Sequence, residues 1–428
     1  MQTRHGSHRP ADWMRRRWGL LSAGVVGILL AGCATTAQNA VAQHDAVAVG
    51  TTTGLFVIPA PAPTISITPN DGSTNVGLDQ VVKVAVDTGE IDSVAVHTAS
   101  DTTPLPGSMG RLSRSWQSSS PLDPKVRYIV EATAHDAAGT STAQASFYTL
   151  AVDGRLTTSP YPGDGATVGI GMPVVLRFSD PVDKDKQANL VSHIQVQSTP
   201  ATEGAWHWWS DSEVHWRPAN FWAAGTKVTV NANLRGVPAG KGVWGLGNWS
   251  ESFTIGEKHY TEIDAAAHQM QVFQNDQLVQ TYPVSTGVDN KWPTLGGTLF
   301  VWYKSQKVHM TSESIGIPKD APGGYDEDVF WDTAISTDGF FIHSAPWSVW
   351  AQGSRNVSHG CVNLSESRAT WFFNFSQQGD VVVVKNTTRV ADESDGEGDW
   401  QIPFANFANS GGDVPETMPS NPAGAGGL

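Results

Sequence analysis

The chain has 428 residues, too many for one ordinary hydrophobic core, and its length points to about three domains. Charged residues make up only 16% of it, against 43 glycines and 25 prolines, a balance that suits a turn-rich β protein better than a helical one. A formal charge of -14, with no Lys/Arg cluster, argues against a nucleic-acid partner.

Residues 1–33 have the marks of an export signal and are set aside from the fold. Arg15, Arg16 and Arg17 form a positive start, residues 19–31 an apolar run too short to span a bilayer comfortably, and Leu30-Ala31-Gly32-Cys33 closes it. That tetrapeptide resembles a bacterial lipobox, which implies cleavage before Cys33 and a lipid on its sulfur. The protein is then expected on the outer face of the cell membrane, lipid-anchored and facing the cell wall. An uncleaved anchor or a plain secretory signal would also put it outside the cytoplasm, and the three arginines are a weak pointer to twin-arginine export. Cys33 and Cys361 are the only cysteines, so a lipidated Cys33 leaves no internal disulfide and the domains must rest on their cores. Residues 34–62, rich in Ala, Thr, Gln and Val and ending in alternating Pro and Ala, cannot bury a core and are expected to be a tether.

Two β modules are predicted next, over residues 63–150 and 151–256. The turn PNDGSTNVG at 69–77 precedes an alternating strand at 81–86, and PGDGATVG at 162–169 precedes another at 174–178. A turn-and-strand unit recurring after roughly ninety residues is the spacing of tandem immunoglobulin-like sandwiches. Further strands are expected at 127–134, 143–149, 213–216 and 227–232. The second module carries Trp206, Trp208, Trp209, Trp216, Trp222, Trp244 and Trp249. Exposed, they would stack on sugar rings; alternating aromatics in strands more often fill a sandwich core, which is the favoured reading.

A third domain is predicted over residues 257–386. Strands are expected at 260–264, 269–273 and 278–287, with a glycine-punctuated strand edge at 294–300. The stretch MTSESIGIPKDAPGGY, 310–325, is polar and rich in Pro and Gly, as in the lids that long ordered loops form near active sites. Residues 365–377 form the one convincing helix, with Ser365 as its cap and Gly379 as its stop. Residues 380–385 supply a Val-rich central strand. The tail, 387–428, is expected to pack back around Trp400 and to end in a disordered Gly/Pro/Ala-rich stretch.

Within this domain Cys361 stands on a polar, glycine-containing turn with no apolar run to bury it. A catalytic cysteine needs exposure to meet a carbonyl carbon and a nearby base to remove its proton. His359 is too close in sequence to be the obvious base. His343, at the end of the apolar run 339–347, stands where a buried strand meets a Pro-terminated turn and aims an imidazole rigidly. The amides of His359, Gly360 and Cys361 are then candidates to face the oxyanion formed on attack. Zinc ligation by His343, His359 and Cys361 is an alternative that lacks a fourth ligand.

IHSAPWS at 342–348, followed after a short polar loop by SHGCVN at 358–363, resembles the active-site signature of the L,D-transpeptidases, the YkuD-type peptidoglycan cross-linking enzymes. The resemblance implies a mainly β chain: two immunoglobulin-like β-sandwiches, then a YkuD-type catalytic domain with one helix and a C-terminal packing segment. It makes Cys361 the acylated nucleophile and His343 its base, with Ser344 orienting His343 through its main-chain oxygen. His359 and Gly360 fall around the oxyanion; Met310, Tyr325, Phe341, Trp347 and Asn363 fall along the substrate channel. The flap is 310–325, where Ile315 replaces a tyrosine that some relatives carry. The implied reaction joins peptidoglycan stem peptides, needs neither cofactor nor metal, and exposes Cys361 to carbapenems. An L,D-carboxypeptidase, with water as acceptor, and a silent wall-binding scaffold are the alternatives.

Overall fold

A computed structural model describes residues 61–392, 395 and 398–409. The export signal, Cys33, nearly all of the tether and the end of the tail lie outside the described residues.

The first module is two facing sheets. One holds Ile65–Thr68, Lys83–Val86, Ser115–Ser118 and Gly107–Met109, in that order; the other pairs Glu90–Thr98, Arg127–Asp136 and Gly139–Tyr148. Alternation decides which side chains enter the core. In Arg127–Asp136 every second residue is buried, so Tyr128, Val130, Ala132 and Ala134 face inward with Val84 and Phe147.

The second module repeats the plan. Thr167–Val168, Trp249–Ile255, Lys227–Ala232 and Ile194–Thr199 form one sheet; Gly204–Trp208, Glu213–Pro218, Val174–Phe178 and Thr158–Tyr161 form the other. Trp216, Trp222 and Trp244 are buried, and Trp222 donates its indole N–H to the Met172 carbonyl at 2.8 Å. Trp206, Trp208 and Trp249 pack against the same core, and Trp209 stacks on the buried His215. The tryptophans therefore serve mainly as filling. Helix α1, Lys184–Ser192, was not expected: it buries only Leu190, so no apolar stripe announces it.

In the third unit the strands are numbered afresh: β1 His259–Asp264, β2 Gln269–Gln274, β3 Gln277–Pro283, β4 Leu295–Phe300, β5 Tyr303–Thr311, β6 Asp326–Ala334, β7 Phe341–Ser344, β8 Val362–Leu364, β9 Val381–Lys385 and β10 Arg389–Val390. One sheet runs β3-β2-β1-β9-β4-β10 and the other β5-β6-β7-β8. Ile263, Val272, Leu299, Ile342, Val362, Leu364 and Val382 meet between them, closed by Phe372 of helix α2, Glu366–Phe375.

Four details differ from expectation. The strand β4 is not a free edge, because β10 pairs beside Leu295 and Gly296. Met310 belongs to β5 rather than to the loop. Ser365 occupies the position before α2 without a side-chain cap, and the helix ends at Phe375, short of Gly379. The tail forms a third helix, α3 Phe404–Asn409, that buries Phe407.

The second sandwich and the third unit share one core. Phe300 of β4 and Val381 of β9 belong to the buried cluster of the sandwich. The Gly169 amide donates to the Gln378 carbonyl at 2.6 Å and the Gly171 amide to the Gly379 carbonyl at 2.8 Å. Only glycine allows this approach at 169, since a Cβ there would lie 2.2 Å from the Asp380 nitrogen. The tail crosses the seam: Arg217 donates to the Ile402 carbonyl at 2.6 Å and lies over the rings of Trp400, Phe404 and Phe407.

Candidate active site

The site is built on β7 and β8. These pair in parallel, setting Ile342 beside Val362, His343 beside Asn363 and Ser344 beside Leu364. All seven residues of the two strands are buried, which is what an apolar run between two sheets and a helix dictates. Cys361 stands one step before β8, where the chain leaves the core, and is half-buried. The thiol and the imidazole open into the same cavity of about 710 Å³.

The His343 tautomer follows from its contact. Its Nδ1 lies 2.9 Å from the Ser344 carbonyl, which can only accept, so Nδ1 carries the hydrogen and Nε2 keeps its lone pair. Burial lowers its pKa to about 4, against a smaller opposing effect of that hydrogen bond. Burial pushes the Cys361 thiol up to about 11; the Phe341 amide opposes this and the charge of Asp332 adds to it. The thiol donates a long contact, 3.8 Å, to the Gly339 carbonyl. Both groups are therefore neutral near pH 7. Burial thus disfavours the ion pair of thiolate and imidazolium while no substrate is present.

The turn that presents the thiol is held from several sides. Gly360 has φ +132° and a Cβ there would meet the Phe340 ring at 3.0 Å, so glycine is required. Thr294 donates its hydroxyl to the Gly360 carbonyl at 2.7 Å and accepts the Gly287 amide at 2.8 Å. Ser358 donates to the Cys361 carbonyl at 2.6 Å and accepts the Gly360 amide at 3.1 Å. That last bond corrects the expected oxyanion site. With the Gly360 amide engaged, only the amides of His359 and Cys361 have no side-chain or loop partner among the described residues.

The other predicted residues converge on the same cavity. Met310, Tyr325, Phe341, Trp347, His359, Gly360 and Asn363 all line it, while Ser344 is buried behind the wall and acts through its carbonyl. Asn363 donates to Ser348 Oγ at 3.1 Å, and its Oδ1 is buried without a partner. The flap is a short hairpin tip with a closed neck: the Ser312 amide donates to the Tyr325 carbonyl at 3.0 Å, and Ser312 Oγ accepts the Tyr325 amide at 3.0 Å. Ile315 faces the cavity from it as an apolar, part-exposed residue. Among the described residues no group of three or more His, Cys, Asp or Glu side chains has metal-binding geometry.

Comparison with known proteins extends this picture. Residues 258–384 match the family model described as an L,D-transpeptidase catalytic domain, and residues 73–238 match a bacterial Ig domain. L,D-transpeptidase 2 of Mycobacterium tuberculosis is 37% identical over 345 residues, which is 80% of this chain and 83% of that protein. The chain belongs to the L,D-transpeptidases. L,D-transpeptidase 5 of the same organism is 30% identical over 353 residues, 80% of this chain and 76% of that one. Among solved structures, the L,D-transpeptidase LdtMt1 in complex with imipenem covers 54% of this chain and 99% of its own, at 31% identity and a TM-score of 0.48.

This L,D-transpeptidase also uses residues that no motif marks. Trp292 lies against the His359 ring at 3.9 Å between centroids, and Tyr325 lies 5.1 Å from the same ring. His359 thus joins the flap to the loop after β3. Burial lowers its pKa. Thr294 and Ser358 are ordinary turn residues in sequence, and only their contacts reveal them.

Proposed function

We propose that this enzyme forms 3→3 peptidoglycan cross-links by cysteine acyl transfer. The observation that carries the reading is the pairing, in one flap-covered cavity, of the half-buried Cys361 thiol with an imidazole whose Nε2 is fixed as a proton acceptor. In the first half-reaction Cys361 Sγ attacks the carbonyl of the third residue of a donor tetrapeptide stem as His343 Nε2 takes its proton. The His359 and Cys361 amides receive the oxyanion. The C–N bond to the terminal D-Ala then breaks, and the imidazolium returns the proton to the departing amine. In the second half-reaction the side-chain amine of an acceptor stem attacks the thioester, the C–S bond breaks, and the amine's proton passes through His343 to the sulfur.

The flap bears on the choice of acceptor. A thioester must outlast the wait for an amine, and a lid pinned through His359 and Tyr325 limits water at the sulfur. This favours transpeptidation over the L,D-carboxypeptidase alternative, and the intact site disfavours a silent wall-binding scaffold. The proposal extends to a lipid on Cys33 that anchors the enzyme to the outer face of the membrane, and to carbapenems as acylating inhibitors of Cys361.

Incubation of the purified protein with a disaccharide-tetrapeptide, with products resolved by mass, tests the reading. Cross-linked dimer is expected. Tripeptide alone would assign the carboxypeptidase, and no product the scaffold. C361A is expected to lose both the product and the carbapenem adduct.

A further inference from the structure

Opposite His343, across the β6–β7 ladder, lies a carboxyl group that this reaction leaves unused. Asp332 of β6 is fully buried, and neither of its carboxylate oxygens has a hydrogen-bond partner among the described residues. An unpaired buried acid costs stability, so packing alone does not account for it. A bulge aims it. The β6–β7 ladder sets Phe330 against Ser344 and Thr333 against Ile342, leaving Trp331 and Asp332 together opposite His343. Trp331, at φ +59°, turns the strand and packs on Phe373 of α2, while Asp332 faces inward.

The titratable groups around Asp332 are Tyr303 of β5, His343 of β7 and Cys361 ahead of β8. Burial first, and the Asp332 charge second, hold the Tyr303 phenol above its ordinary range. The cations of the neighbouring elements are committed elsewhere. Lys304 of β5 bonds to the Phe373 and Ser376 carbonyls, Lys307 pairs with Asp328, and Arg368 of α2 lies over Tyr282. Glu366 is the acid of the first turn of α2. Among the described residues no cation therefore neutralises Asp332, and its charge, when present, bears on the Cys361 thiol.

We propose that Asp332 is a positioning residue for the nucleophile, whose negative charge, when it forms, opposes the Cys361 thiolate and restrains its reactivity. Burial places the change of charge near neutrality, at about pH 7. Below that pH the carboxyl is neutral and leaves the thiol alone. Above it, every further step of thiolate formation works against a like charge. The inference rests on Cys361 as the nucleophile of the proposed reaction. Direct alkylation reads the thiol itself, so a failed cross-linking assay and a failed tuning effect are distinguishable.

The experiment is the rate of iodoacetamide alkylation of Cys361 in the full chain, followed by intact mass from pH 5.5 to 9.5, for wild type and D332N. The two rates are expected to agree within about twofold at pH 5.5 and to diverge to about three- to thirtyfold in favour of D332N at pH 9. His359, on the other wall of the cavity, affects both proteins alike. A ratio that is constant across the range, whatever its size, would mean a merely structural residue and overturn the proposal. The smaller D332S removes the same charge where D332N does not fold. Independently of any variant, infrared titration of the wild type is expected to show one protonated carboxyl band lost around neutrality; its absence also overturns the proposal.

Discussion

Thr294 offers the sharpest test of how the turn that carries Cys361 is held. Its hydroxyl, 1% exposed as part of a buried residue, bridges the Gly287 amide at 2.8 Å and the Gly360 carbonyl at 2.7 Å. Thr294→Val keeps the shape and removes only the oxygen, stranding one buried donor and one buried acceptor. At about 1–3 kcal/mol for each unsatisfied group, the loss is expected to be roughly 2–6 kcal/mol in the transition that unfolds this domain. The same bridge fixes the backbone one residue before Cys361, so carbapenem acylation, followed by intact mass, is expected to slow at least about tenfold. Thr294→Ser restores the hydroxyl and most of both effects. Urea unfolding within about 0.5 kcal/mol of wild type, together with an unchanged acylation rate, would refute the reasoning.

Three further outcomes are expected. The native state keeps His343 neutral down to about pH 4, whereas the unfolded chain protonates it near 6.5, so stability is lost as pH falls between those values, by up to about 3 kcal/mol. An H343Q protein should show a correspondingly flatter acid limb in urea titrations at pH 4 and 7. Replacing Arg217 by Ala removes the bond to Ile402 and a guanidinium stacked on three rings, so the tail should become cleavable by thermolysin near residues 399–409, with a loss of about 2–4 kcal/mol. Trp292→Ala unpins His359; amide exchange in 312–325 should quicken and the donor KM should rise several-fold, and unchanged exchange would show that the ring does not hold the flap.

The chemistry was legible in the sequence where its residues are neighbours. Gly360, the proposed nucleophile Cys361 and Asn363 lie within one turn, so their spacing survives as a motif. The supports do not, because Thr294 reaches Gly360 across 66 positions and Trp292 meets His359 across a similar gap. Asp332 was hidden for a different reason. An alternating pattern in β6 gives no notice that a bulge at Trp331 will turn an acid inward. The engaged Gly360 amide is another case, since nothing in SHGCVN shows that Ser358 will fold back onto it. Strands were readable from alternation, whereas α1 and α3 are short, bury one side chain each, and owe their existence to the surfaces they lie on.

The glycine-lined seam has a consequence for how the chain can be taken apart. Because Phe300 and Val381 lie within the sandwich's own core and the Gly169 and Gly171 amides are bonded to Gln378 and Gly379, the two bodies have no hinge there. Cutting at the boundary would not liberate an independent enzyme; it would tear open an apolar wound on each half. The sandwich is thermodynamically a portion of the catalyst, so exchanging it for another module should cost folding first and activity only afterwards.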